Sequence, residues 1–255
     1  MDIGALFNGV AQLFIHREPD ARIRLFSTDG KLLGYPERAD GGLAIGTVVP
    51  AGLKEKKHVG NVKYDNITFV CTSSMEPFVV NCFKSLRVLA GATERKSGSI
   101  VYLSRDGEFH RKLAFSEAMI SAVKFPALDA ASKDAAKIMI SLAPTRTIHT
   151  QASGSLSAEV TKATSAYSEP PTAALWSSSN FKVEIAGLDN ACSYIQRVEP
   201  LCVSKIIMDR DSGRMLEVPR LDCSDLIVTL PIRHAKEFME WYTVIITATT
   251  TTTTS

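Results

Sequence analysis

Apolar and polar residues alternate with a period of two over Asn66–Cys71, "NITFVC", where Ile67, Phe69 and Cys71 fall on one side and Asn66 and Thr68 on the other. That period marks a half-buried strand. The pattern then changes: Phe78, Cys82, Leu86 and Leu89 recur at helical steps with Val79 and Phe83 beside them, so the spacing predicts an amphipathic helix whose broad apolar face lies on a sheet. Ser73 and Ser74 stand where a helix is capped, and Pro77 is tolerated in a first turn. Two β-rich runs follow in 98–115 around Arg105-Asp106-Gly107, a hairpin signal. "ISAVKF" (120–125) and "KIMISLAP" (137–144) add two strands, joined by "PALDAASKDAA".

The same order of patterns returns after about 160 residues. "NFKVEIAG" (180–187) alternates Phe181, Val183 and Ile185, "CSYIQRVEPLCVSKII" (192–207) is β-rich, and Asp211-Ser212-Gly213 predicts a turn. Leu226, Val228 and Leu230 predict a strand, and Phe238, Trp241, Tyr242, Ile245 and Ile246 fall on one side of a helix. Between the blocks, a stretch rich in Ser, Thr and Ala with Pro170-Pro171 has linker composition. The expected organisation is a β unit over 1–149 with a divergent opening at 1–52, a linker at 150–177, a second and incomplete unit at 178–246, and a Thr-rich tail at 247–255. The fold class is mainly β: an antiparallel barrel or sandwich with one packed helix, repeated in part.

Composition narrows the chemistry. The 255 residues carry 29 basic and 27 acidic side chains, a net charge of +2, so no global field recruits nucleic acid or an anionic membrane. No apolar run reaches the roughly 20 residues that span a bilayer, and synthesis in the cytoplasm is expected. The five cysteines, Cys71, Cys82, Cys192, Cys202 and Cys223, lack C-x-x-C spacing and read as reduced thiols. The histidines at 16, 58, 110, 149 and 234 are scattered, and the motifs of zinc proteases, serine hydrolases, P-loops and dinucleotide folds are absent. "DRDSG" at 209–213 places its glycine one residue early for a calcium loop and lacks the distal glutamate, so it reads as a turn. No catalytic residue, metal or cofactor is expected, and the chain does not read as an enzyme.

Basic residues cluster at Lys54, Lys56, Lys57 and Lys63, and again at Arg95, Lys96, Arg111 and Lys112. They fit a solvated loop with a charge-protected hairpin edge, or a contact with an acidic neighbouring subunit. Without interleaved aromatics, a nucleic-acid groove fits less well than either.

Lys63-Tyr64 before Ile67-Thr68, "RKSGSI" at Arg95–Ile100 and "FPALDAASKDAA" at Phe125–Ala136 together resemble the inner tail tube proteins of contractile phages and of contractile injection systems. The resemblance covers Leu53–Pro144, and residues 178–246 resemble the opening half of the same domain, with "NFKVEIAGL" and "RVEPL" at Arg197–Leu201. It implies a structural subunit that self-assembles into rings of six tube domains, with sheets joined edge to edge and rings stacked around a conduit. Sheath and baseplate proteins are the implied partners. DNA or effector cargo would pass through the lumen without specific binding, and the location would be a virion tail or injection particle. It also makes Thr47–Gly60 an arm reaching the next subunit or ring, and it assigns ring or stack contacts to Lys54, Lys56, Lys57, His58, Lys63, Arg95, Lys96, Asp209 and Asp211. A tube-initiator or baseplate hub ring, built as a pseudo-sixfold trimer of two-unit chains, is the second expectation. A non-catalytic all-β binding module is the third.

Overall fold

The computed structural model describes residues 22–51, 56–87, 94–104, 108–151, 176–209 and 215–251. Its spine is β8 (Phe109–Lys124), 16 residues long, where the sequence pattern had suggested two shorter strands. The N-terminal half of β8 pairs with β7 (Lys96–Leu103) and β11 (Arg146–Gln151), and its C-terminal half pairs with β10 (Ile138–Ala143) and β13 (Cys202–Asp209), all antiparallel. β7 continues to β1 (Arg22–Ser27) and β2 (Leu32–Gly34). β10 continues to β6 (Ile67–Cys71) and β3 (Arg38–Asp40). Two antiparallel layers therefore share one strand, and among the described residues they do not close into a barrel.

The change of layer is made at Ser116–Glu117. Gly98 faces Phe115 while Lys96 faces Ala118, so β8 carries one extra residue there, a β-bulge that bends the strand. Glu117 takes φ 47°, a left-handed conformation that costs a non-glycine residue free energy. The groups released by the bulge are satisfied locally: the Glu117 N–H donates to Ser97 Oγ at 2.9 Å, Thr145 N–H to Ser116 O at 3.1 Å, and Thr145 Oγ1 to Glu117 O at 3.1 Å.

Ile67, Phe69 and Cys71 are all buried on one side of β6, as the alternation requires. After β6, a 3-10 turn over Ser73–Met75 precedes α1 (Glu76–Arg87). The two serines thus lie inside that turn instead of capping the helix. α1 lies against β8 and β10 and buries Phe78, Val79, Cys82 and Leu86. Phe78 meets Phe69 edge to face, ring centres 6.1 Å apart, and Phe83 meets Phe125 likewise at 5.7 Å. Burial in this apolar layer pushes the Cys71 and Cys82 thiols up to about 12, so both stay protonated and inert at neutral pH.

Residues 178–246 differ from the expected copy. Phe181, Val183 and Ile185 are half-buried between exposed Lys182 and Glu184, yet 181–185 form no strand. Alternation reports that one face is covered; a strand also needs a backbone partner, and among the described residues no strand pairs with 181–185. A short helix α2 (Asp189–Cys192) leads into the β-rich stretch, which holds a two-residue β12 (Arg197–Val198) and then most of β13. β12 bridges β9 (Leu128–Asp129) and β15 (Val228–Thr229), and β13 forms a hairpin with β14 (Met215–Cys223). The turn expected at 211–213 and the Asp106-Gly107 turn lie outside the described residues. Leu188, Cys192, Ile195 and Val198 form a small second core.

The repeated pattern is nevertheless physical. β15 leads through a 3-10 turn over Ile232–His234 into α3 (Lys236–Thr251), the same strand, turn and helix that β6 and α1 make. What differs is the support beneath. Trp241 is 46% exposed and Tyr242 63%.

Two stability measurements follow from this geometry. Leu86→Ala lowers the unfolding free energy by about 2–5 kcal/mol, whereas Trp241→Ala at a dilution where the chain is monomeric changes it by about 0.5 kcal/mol or less; urea titration checks both. Glu117→Gly is at least as stable as the parent, and Glu117→Val, a β-branched residue in the left-handed region, loses about 1–2 kcal/mol.

Candidate assembly interface

β4 (Ala44–Ala51) and β5 (Lys56–Tyr64) pair with one another from Ala44↔Tyr64 to Ala51↔Lys56, with an extra residue on β5 between Val59 and Val62. They form a two-stranded ribbon with no third strand among the described residues. Ile45 and Val62 on it are about half exposed. The segment expected to act as an arm, Thr47–Gly60, falls within this ribbon, with 52–55 outside the described residues.

The ribbon is clamped at its base. The Asp65 N–H donates to Leu43 O at 3.0 Å, and the Leu43 N–H donates to the Asp65 carboxylate. Gly42 O accepts from Thr147 Oγ1 at 2.6 Å and from His149 Nε2 at 2.9 Å, tying the base to β11. Gly41 and Gly42 take φ +91° and +78°, and a Cβ on Gly41 would lie 1.9 Å from Asn66 O. Only glycine permits that approach. Burial raises the Asp65 carboxyl above its ordinary range, opposed by the N–H groups of Leu43, Asp65 itself and Gly42 and by the nearby His149.

The described residues assigned to ring and stack contacts fall on β5, on or just before β7, and on β13. Lys63 is exposed on β5, opposite Ile45. Lys56, Lys57 and His58 lie on the β5 backbone, with side chains outside the described residues, as is all of Lys54. Arg95 reaches Glu117 and Thr145, each at 3.5 Å, beside the β8 corner. Lys96 pairs with Glu94 at 2.8 Å. Asp209 ends β13, its side chain outside the described residues, and Asp211 lies outside them altogether. Arg111 of the second basic cluster lies 3.9 Å over the ring of Tyr102, whose hydroxyl donates to Ala39 O at 3.1 Å.

Sequence reasoning missed the clamp, although "DGG" at 40–42 followed by Asp65-Asn66 carries its signal: adjacent glycines beside a strand end mark a close backbone approach. It also missed a polar cavity of about 320 Å³ lined by Pro126, Asp129, Ser132, Asp134, Ser178 and Arg197. Arg197 Nη1 lies 3.5 Å from Asp129, Arg197 Nε donates to Glu199 at 2.8 Å, and the Ser178 hydroxyl is bonded to Asp134 O. Cysteine and histidine are absent from this lining, so it offers no thiol or imidazole as nucleophile or base. Among the described residues, no three His, Cys, Asp or Glu side chains group as metal ligands, and no helix is long and apolar enough to cross a membrane.

No protein-family model and no curated protein sequence matches the chain. Solved structures similar to it include a subunit of the sheath-tube complex of an extracellular contractile injection system in its extended state, with 16% identity and TM-score 0.44 over 56% of this chain and 97% of that one. Another is from the tube-terminating cap of the anti-feeding prophage, with 18% identity and TM-score 0.43 over 53% and 91%. A third is Hcp1 from Flavobacterium johnsoniae, with 16% identity and TM-score 0.36 over 51% and 96%.

The raised Asp65 carboxyl gives a signed expectation. Its contribution is fully favourable below the ordinary carboxylate range and is lost as pH rises through the folded value, so the charged form opposes the clamp at neutral pH. Asp65→Asn keeps an acceptor for Leu43 N–H and removes that charge. The variant should be equal to or more stable than the parent at pH 7 and gain nothing at pH 3, measured by thermal unfolding at the two pH values.

Proposed function

We propose that this chain is a structural subunit of the inner tube of a contractile phage tail or contractile injection system, assembling as rings stacked around a central conduit. The observation that carries the reading is the β4–β5 ribbon. Two strands alone are marginal in water, yet this ribbon is anchored at its base to β11 and to the loop at Gly42 while its flanks pair with nothing else among the described residues. Such an arm fits a surface on another subunit. The outer edges of β2, β3 and β11 are likewise unpaired among the described residues, and open edges suit a protein whose neighbour covers them. The tube-protein resemblance of Leu53–Pro144 points the same way. The role is structural and non-enzymatic. Its partners would be further copies of the chain, with sheath and baseplate proteins outside and at the ends, and its place would be the assembled particle.

The second reading, a trimeric initiator or hub, is favoured by the duplicated strand, turn and helix at β6–α1 and β15–α3. If residues 178–246 count as a second tube-like unit, three chains supply six positions.

Negative-stain electron microscopy with mass photometry on the same sample tests both. The tube reading expects rings or stacked tubes with a hole a few nanometres wide, and six copies per ring. Three copies per ring would transfer the chain to the initiator reading, and a monomer at every concentration would remove both.

A further inference from the structure

We infer that the β13–β14 hairpin is an edge cover: it occupies a free edge of β8 within the chain and presents an outer edge, that of β14, which another strand does not join. The inference rests on the tube reading only in what it says about neighbours. A ring neighbour then contacts this subunit elsewhere, and the sheet ends at β14.

The first half of the inference is in the pairing. Cys202, Val203 and Ser204 face Lys124, Val123 and Ala122 of β8, and the Phe125 N–H extends the ladder to Leu201 O at 2.8 Å. Val203 is buried in the main core beside Val123, with Leu221 of β14 packed against it. A strand tethered in the same chain meets this edge at a high effective concentration, so one arriving from another molecule competes at a disadvantage.

The second half lies in β14. Its register against β13 runs Lys205↔Leu221 and then Ile207↔Glu217, so two steps on β13 face four on β14. The bulge falls at Val218–Arg220, and Pro219 at its centre has no N–H to offer. Glu217, Arg220 and Asp222 place three charged residues along the same nine-residue strand. A bulge, a proline and charges are the devices by which sheet edges avoid further pairing. β11 has none of the first two and no acidic residue: six consecutive residues from Arg146 to Gln151 face Ser116 to Arg111 without a register shift. The remaining edges, β2 and β3, are three residues each. One side of the sheet is guarded and the other is straight.

Hydrogen exchange of the full chain, compared between a dilute and an assembled sample, reads this directly. Amides of 215–223 are expected to exchange at the same rate in both, while those of 146–151 slow by about tenfold or more on assembly. Slowing of 215–223 by as much as 146–151 would overturn the inference. A chain that assembles at no concentration would remove the tube reading, and the edge cover is then decided by Pro219→Thr. That variant, folded by circular dichroism, should self-associate at concentrations where the parent is monomeric, with new protection in 215–223. If it remains monomeric, β14 was never held open to solvent by its proline and the inference fails. Should Pro219→Thr unfold, Arg220→Val removes a guarding charge and is read in the same way.

Discussion

Everything in this molecule hangs on one bent strand. β8 supplies hydrogen bonds to four neighbours, two in each half, so the two layers cannot be positioned independently. The bend needs an extra residue in a left-handed conformation, a local cost of about 1–2 kcal/mol, and it releases backbone groups that Ser97 and Thr145 take up. Arg95 closes over the same corner through Glu117. That ion pair is exposed and contributes little by itself. What holds the corner is that the ladders on both sides resume immediately.

The same constraint explains why one helix is buried and its counterpart is not. α1 returns across β8 and β10, where the bend leaves a continuous apolar floor of Ile120, Val123, Ile140 and Leu142. α3 follows an equivalent strand and turn, but the strand before it is two residues long and pairs only with β12 among the described residues. Phe238 reaches the small second core while Trp241, Tyr242 and Val244 stay exposed. Identical local pattern gives different burial when the sheet beneath is different.

That contrast also sets what could be read from the chain. Period and turn chemistry located β6, α1, β10 and the hairpin-forming regions, because these signals are local. They could not show that 109–124 is a single strand, since a bulge keeps the alternation on each side and merely shifts its phase. Nor could alternation at Phe181, Val183 and Ile185 reveal that, among the described residues, no partner strand lies alongside. Among candidate contact residues, Lys63 was legible as a basic position just beyond the Thr47–Gly60 arm, whereas the Asp65 clamp depends on Leu43 and Gly42 being folded against it from 22 residues away. Long-range pairing, such as Val203 on Val123, leaves no mark in a local window.

If the β4–β5 ribbon is completed by another subunit, as proposed, an electron cryomicroscopy map of the assembled particle tests it most directly. The ribbon is predicted to lie against a neighbouring copy, with Ile45 and Val62 covered by it. A map in which the ribbon folds back onto its own β11, or stands free in a ring held together elsewhere, would contradict the account.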